Sequence, residues 1–145
     1  MKKTPIFALA TMILAAGRLS VAANRAYHYE PENVVLSGKI ERQTFPGPPN
    51  YEDIKTGDQI ETGWYLRLDE MIDVNTSKQD TDPNAESEKD IKVLQLAFNP
   101  DGPARKTEAE TGKRICLRGH LFHSLTGHHH SRVLLWVDEV LKVKP

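Results

Sequence analysis

Gly112-Lys113-Arg114-Ile115-Cys116-Leu117-Arg118-Gly119-His120-Leu121 decides the architecture. Ile115, Leu117 and Leu121 fall on one side of an extended chain, while Arg114, Cys116, Arg118 and His120 fall on the other. Period-two alternation of this kind marks a half-buried strand. Other runs repeat the pattern. Val34, Leu36 and Ile40 align, as do Trp64, Leu66 and Leu68, and Leu94, Leu96 and Phe98. Val133-Leu134-Leu135-Trp136-Val137 is apolar on both sides, which predicts that a further segment covers one of them.

The intervening segments read as loops. Phe45-Pro46-Gly47-Pro48-Pro49-Asn50 carries three prolines, which remove donors and fix the backbone. Asp73 to Asp90 is polar, with a turn signal at Asp82-Pro83-Asn84. Asn99-Pro100-Asp101-Gly102-Pro103 is a second turn, and Glu108 to Lys113 leads into the next strand with room for a short helix before it. Five or six short strands predict an all-β fold, a small barrel or a sandwich. Gly38 and Gly119 favour the barrel, since glycine inside a strand marks the bend at which a small barrel closes. The run from Gly112 to Gly119 resembles the G-K-x-V-x-V-x-G texture of the oligonucleotide/oligosaccharide-binding (OB) barrel. That fold hosts many unrelated functions.

The N-terminus reads as a targeting segment. Lys2 and Lys3 precede a mostly apolar stretch from Pro5 to Gly17, and small residues follow at Ser20-Val21-Ala22. Residues 1–22 are therefore expected to be a cleaved signal peptide and 23–145 one small β-barrel domain, periplasmic or secreted, with no membrane span after cleavage. Removing 1–22 takes Lys2, Lys3 and Arg18 and no acid from 19 basic and 20 acidic side chains, leaving a formal charge of −4. A mildly acidic domain has no field for nucleic acid. Cys116 is the only cysteine, so no internal disulfide forms.

Thr126-Gly127-His128-His129-His130-Ser131 is the most specific chemical feature. In an extended segment His128 and His130 share a side and His129 faces away. Three readings follow. A tight turn would use the hydroxyls and imidazoles to bond loop backbone. A zinc or copper site would take His128 and His130, with His120 foremost, or His123 or an acid, as third ligand. A partner-binding or pH-sensing loop would present the imidazoles to solvent. Arg114 and Arg118 add a local basic strip suited to an acidic partner, or to pairing with acids of the same chain.

Leu121-Phe122-His123-Ser124-Leu125-Thr126-Gly127-His128-His129-His130-Ser131, followed by Val133-Leu134-Leu135, resembles a family of exported bacterial proteins. That family is catalogued as a domain of unknown function and marked by a T-G-H-H-H-T motif. Ser131 keeps the terminal hydroxyl, and the likeness is best over about 112–140. The resemblance implies location and domain type, and no activity.

Catalytic and calcium signatures fail. There is no G-x-S-x-G elbow, no H-E-x-x-H and no phosphate-cradling glycine loop. His120 is about 13 Å along a strand from Cys116, too far for a nucleophile–base pair. The acidic stretch from Asp73 has Lys78 and Asn84 where an EF-hand needs glycine and glutamate. The expectation is a non-enzymatic binding module. Its partner would be an envelope protein, a glycan such as a peptidoglycan fragment, or an effector enzyme, met by Thr126–Ser131, Arg114, Arg118 and the Pro46–Tyr51 loop. The oligomeric state is left open.

Overall fold

The computed structural model describes residues 23–76, 84 and 86–141. The expected signal peptide, and most of the Asp82-Pro83-Asn84 turn, lie outside the described residues. Six strands form, β1 (Arg25–His28), β2 (Asn33–Pro46), β3 (Ile60–Asn75), β4 (Glu88–Ala97), β5 (Arg114–His123) and β6 (Val133–Leu141), with one helix, α1 (Ala104–Ala109). β3, β2, β5, β6 and β4 neighbour one another in that order, and β4 closes back on β3. The ring is antiparallel except where β4 runs parallel to β6. A five-strand ring with the helix between its third and fourth strands is the expected OB-like barrel. β1 stands outside the ring, parallel to the end of β3. Among the described residues no helix is long and apolar enough to cross a membrane.

The alternation delivers the core. Val34, Leu36, Ile40, Leu66, Leu68, Leu94, Leu96, Ile115, Leu117, Leu121, Val133, Leu135 and Val137 are all buried in one cluster. Each buried aliphatic side chain contributes roughly 1.5–3 kcal/mol. Trp64 and Phe98 lie at its margin.

The two strand glycines sit at points of close backbone approach. At Gly38, β2 pairs with β5 on one side and β3 on the other, and a Cβ there would lie 2.2 Å from the Arg67 carbonyl oxygen. At Gly119 a Cβ would lie 1.9 Å from the Trp136 carbonyl oxygen, beside a register shift between β5 and β6. Both positions accept only glycine, because two barrel strands cross where a side chain would start.

Two expectations need correction. β2 continues through Phe45 and Pro46, because Pro46 ends the ladder opposite Ile60, where its missing N–H breaks no interior bond. The polar stretch from Asp73 to Asp90 is not wholly loop. β3 runs on to Asn75 and β4 starts at Glu88, held by Asp73, whose carboxylate accepts from Asn24, Lys89 and the Asp90 amide. Tyr65 also departs from simple alternation. It is 1% exposed, although it alternates with Leu66 and Leu68.

That last burial identifies the cover predicted for β6. Tyr65, Gln95, Leu134 and Phe122 are register neighbours across β3, β4, β6 and β5, on the opposite side from the core. Leu134 is buried there as well. The β5–β6 loop, Ser124–Arg132, folds over this outer row.

Candidate functional site: a carboxylate between two histidines

Glu61 opens β3 on the same face as Gly63 and Tyr65. Gly47 presses on it, since a Cβ at Gly47 would lie 2.5 Å from Glu61 Cγ. Its carboxylate lies between two imidazoles. Glu61 Oε1 meets His128 Nδ1 at 2.5 Å, and Oε2 meets His130 Nε2 at 2.9 Å. Two imidazole N–H donors hold the Glu61 carboxyl below the usual carboxylate range, the His130 bond contributing most and partial burial opposing it.

The histidine loop is clamped through its backbone. Gln95 Nε2 donates to the His128 carbonyl at 2.9 Å, while Gln95 Oε1 accepts from the His130 amide at 2.6 Å. One amide side chain thus fixes the peptide groups on both sides of His129. The Ser131 hydroxyl accepts from the Gln95 amide at 2.9 Å and donates to the Val133 carbonyl at 2.8 Å, which ties the loop to the start of β6.

Each ring has a different surrounding. His130 is nearly buried and stacks on Phe45, with centroids 4.5 Å apart and planes within 5°. His128 is 61% exposed, with its Nε2 3.3 Å from the Tyr51 hydroxyl. His129 turns the other way, edge-on to Phe122, and its Nδ1 accepts from the Leu125 amide at 2.9 Å. Burial, with His128 and His130 adding to it, pushes the His129 pKa down, in keeping with a neutral acceptor ring. The alternation read from the motif therefore holds, with His128 and His130 on one side and His129 on the other.

Tyr51 joins the second loop to the first. It has φ +60° and its ring lies against Gly127, where a Cβ would be 3.0 Å from the ring. Asp58 holds that loop from inside. It is 5% exposed, and its carboxylate accepts from the amides of Asn50, Glu52 and Asp53, which lowers its pKa. Beneath the imidazoles lies Tyr65, tilted against Phe45. Its hydroxyl is buried and has no hydrogen-bond partner among the described residues. Burial, then the Glu61 charge, pushes its pKa up to about 12.

The remaining sequence-derived candidates do not gather here. His120 lies on β5 near Asp138 and Glu30, at 3.3 and 3.8 Å. It does not join His128 and His130 as a third ligand. Among the described residues no group of three or more His, Cys, Asp or Glu side chains is arranged to hold a metal ion. His128 Nδ1 and His130 Nε2 are turned onto the Glu61 oxygens. Arg114 pairs with Asp69 and Arg118 with Glu139, so the basic strip is neutralised within the chain. Thr126 and Gly127 are exposed at the loop tip, where the Thr126 carbonyl accepts from the His129 amide.

Residues 93–141 match the family model of a domain of unknown function, DUF4431. No curated protein matches the sequence. The DUF4431 stretch takes in β4, α1, β5 and β6, with Gln95 and the whole histidine loop. It begins before the 112–140 segment that carried the family likeness. Phe45, Tyr51 and Glu61 lie outside it, so the site joins the DUF4431 stretch to the β2–β3 hairpin. Phe45, Glu61 and Gln95 are the members that sequence reasoning missed, since an isolated acid, amide or aromatic ring on a strand leaves no local mark.

Proposed function

We propose that this protein is a non-enzymatic exported binding module, holding a cell-envelope partner on the rim made by the β2–β3 loop and Thr126–Ser131. The observation that carries this reading is the Glu61 bridge. It ties two chain-distant loops into one preorganised surface, where OB barrels commonly present ligand contacts. On that rim His128 and Leu125 stand exposed, with Ile54 and Ile60 on the facing loop and strand start. Preorganisation lowers the ordering cost of binding, and exposed apolar side chains beside an imidazole suit a protein or glycan surface. The imidazoles are engaged in positioning bonds, which favours recognition over proton transfer.

The test is capture from envelope extract with the purified protein as bait, comparing wild type, Tyr51→Ala and His128→Ala, with and without chelator. The reading expects one partner to be retained by wild type and lost by both variants, with thermal stability little changed. Equal capture by all three would end it. Capture that disappears with chelator alone would favour a zinc- or copper-dependent module instead.

A further inference from the structure

Away from the histidine rim, the barrel has a second opening. β5 ends at the rim and begins at this opening, roughly 30 Å away along the strand. α1 spans this end but offers it little. Its sequence, Ala104-Arg105-Lys106-Thr107-Glu108-Ala109, carries only two methyl side chains as apolar groups, and none of its residues joins the core cluster. The result is a cleft of about 560 Å³ between α1 and the ends of β5 and β6. Ile115, Val140, Leu141 and Ala109 supply apolar walls, and Lys106, Glu110 and Arg114 the polar ones.

The charges are unequal. Glu110 is paired with Lys113 and Arg114 with Asp69. Lys106 has no carboxylate partner among the described residues. The cleft therefore combines an apolar floor with a cation that is unpaired among the described residues. Ligand pockets of this size are apolar cavities with a few placed polar groups. We propose that this cleft binds a monoanionic amphiphile, an acyl chain bearing one carboxylate. The chain lies on Ile115, Val140 and Leu141, and the head group pairs with Lys106. The short helix, which buries only Thr107 among its described side chains, leaves room for the chain, and Lys106 sets the preferred charge of the head.

The test titrates the purified protein, below micelle-forming concentrations, with decanoate, neutral octyl glucoside and cationic decyltrimethylammonium. Amide chemical shifts are the readout. Decanoate should give saturable shifts centred on Ala109, Ile115, Val140 and Leu141, the neutral probe weaker ones and the cation none. Lys106→Glu should weaken decanoate binding about tenfold. Ala109→Trp, which fills the cleft, should abolish it while the rest of the spectrum keeps the wild-type fold. Three results would overturn the proposal: no saturable shifts at these amides, equal binding by the three probes, or concentration-dependent shifts of the same amides without probe together with a dimer in sedimentation. The last would assign the cleft to a second copy of the chain.

Discussion

Glu61 and His130, 69 positions apart in the chain, are joined by a 2.9 Å hydrogen bond beneath the loop that His130 belongs to. The same carboxylate holds His128, so one side chain on β3 fixes a loop that connects β5 to β6. Glu61→Gln keeps one acceptor and loses the charge. It should cost about 1.5–3 kcal/mol of unfolding free energy, the range for hydrogen bonds to charged groups. Urea denaturation measures the loss. Amide shifts should change over Tyr51 and residues 126–131 and stay put in β2 and β5.

The pH dependence has a definite sign. Glu61 is held below its ordinary value of 4.5 in the folded protein, so its contribution is present above 4.5 and is lost as pH falls through the folded value. Asp73 behaves likewise, from an ordinary 3.8 to about 2, owing first to the Asn24 bond and then to Lys89. His129 is also depressed, from 6.5, so protonation opposes folding as pH falls below that value. Stability should therefore decline in steps below pH 6.5. Asp73→Asn should flatten the lowest step in acid titrations followed by far-UV circular dichroism, and an unaltered acid limb would contradict the assignment.

Tyr65→Phe removes a hydroxyl that is buried without a partner among the described residues. The variant should be more stable by about 1 kcal/mol, because an unsatisfied buried polar group costs on that order. Thermal melts of the two proteins decide it, and a lower midpoint for the variant would show that the hydroxyl is satisfied in solution.

Gly119→Ala and Gly38→Ala should each cost about 3 kcal/mol or more, since the added carbon meets a backbone oxygen that cannot move without opening the barrel. Gly57→Ala is the control. It has open space around the added carbon but a φ of +112°, and should cost only about 1 kcal/mol. If Gly119→Ala melts like wild type, the close approach of β5 to β6 is wrong.

His128→Ala and His130→Ala should differ. His128 is mostly exposed and its removal should change stability by under about 1 kcal/mol. His130 is mostly buried and stacked on Phe45, so its truncation should cost about 2–3 kcal/mol. Equal melts would argue against the stacked arrangement.

Much of this was legible along the chain. The five barrel strands show as alternation, Gly38 and Gly119 as strand glycines, and the opposed directions of His128 and His129 as simple period-two geometry. β1 went unread because Arg25-Ala26-Tyr27-His28 is four residues without an apolar face, stabilised by pairing with Ile72 to Asn75. The burial of Tyr65 also went unread, because the loop that covers it lies some sixty positions further on.

Sequence alone determined the local terms: which segments extend, which faces turn inward, and which residues the histidine loop contains. These depend on neighbours one to four positions apart, where backbone sterics and side-chain polarity act directly. Tertiary structure decided that Glu61, Gln95, Phe45 and Tyr51 meet those histidines and that His120 does not. That outcome depends on strand register around a closed ring, which is set by the packing of the whole core and leaves no mark on any single stretch of chain.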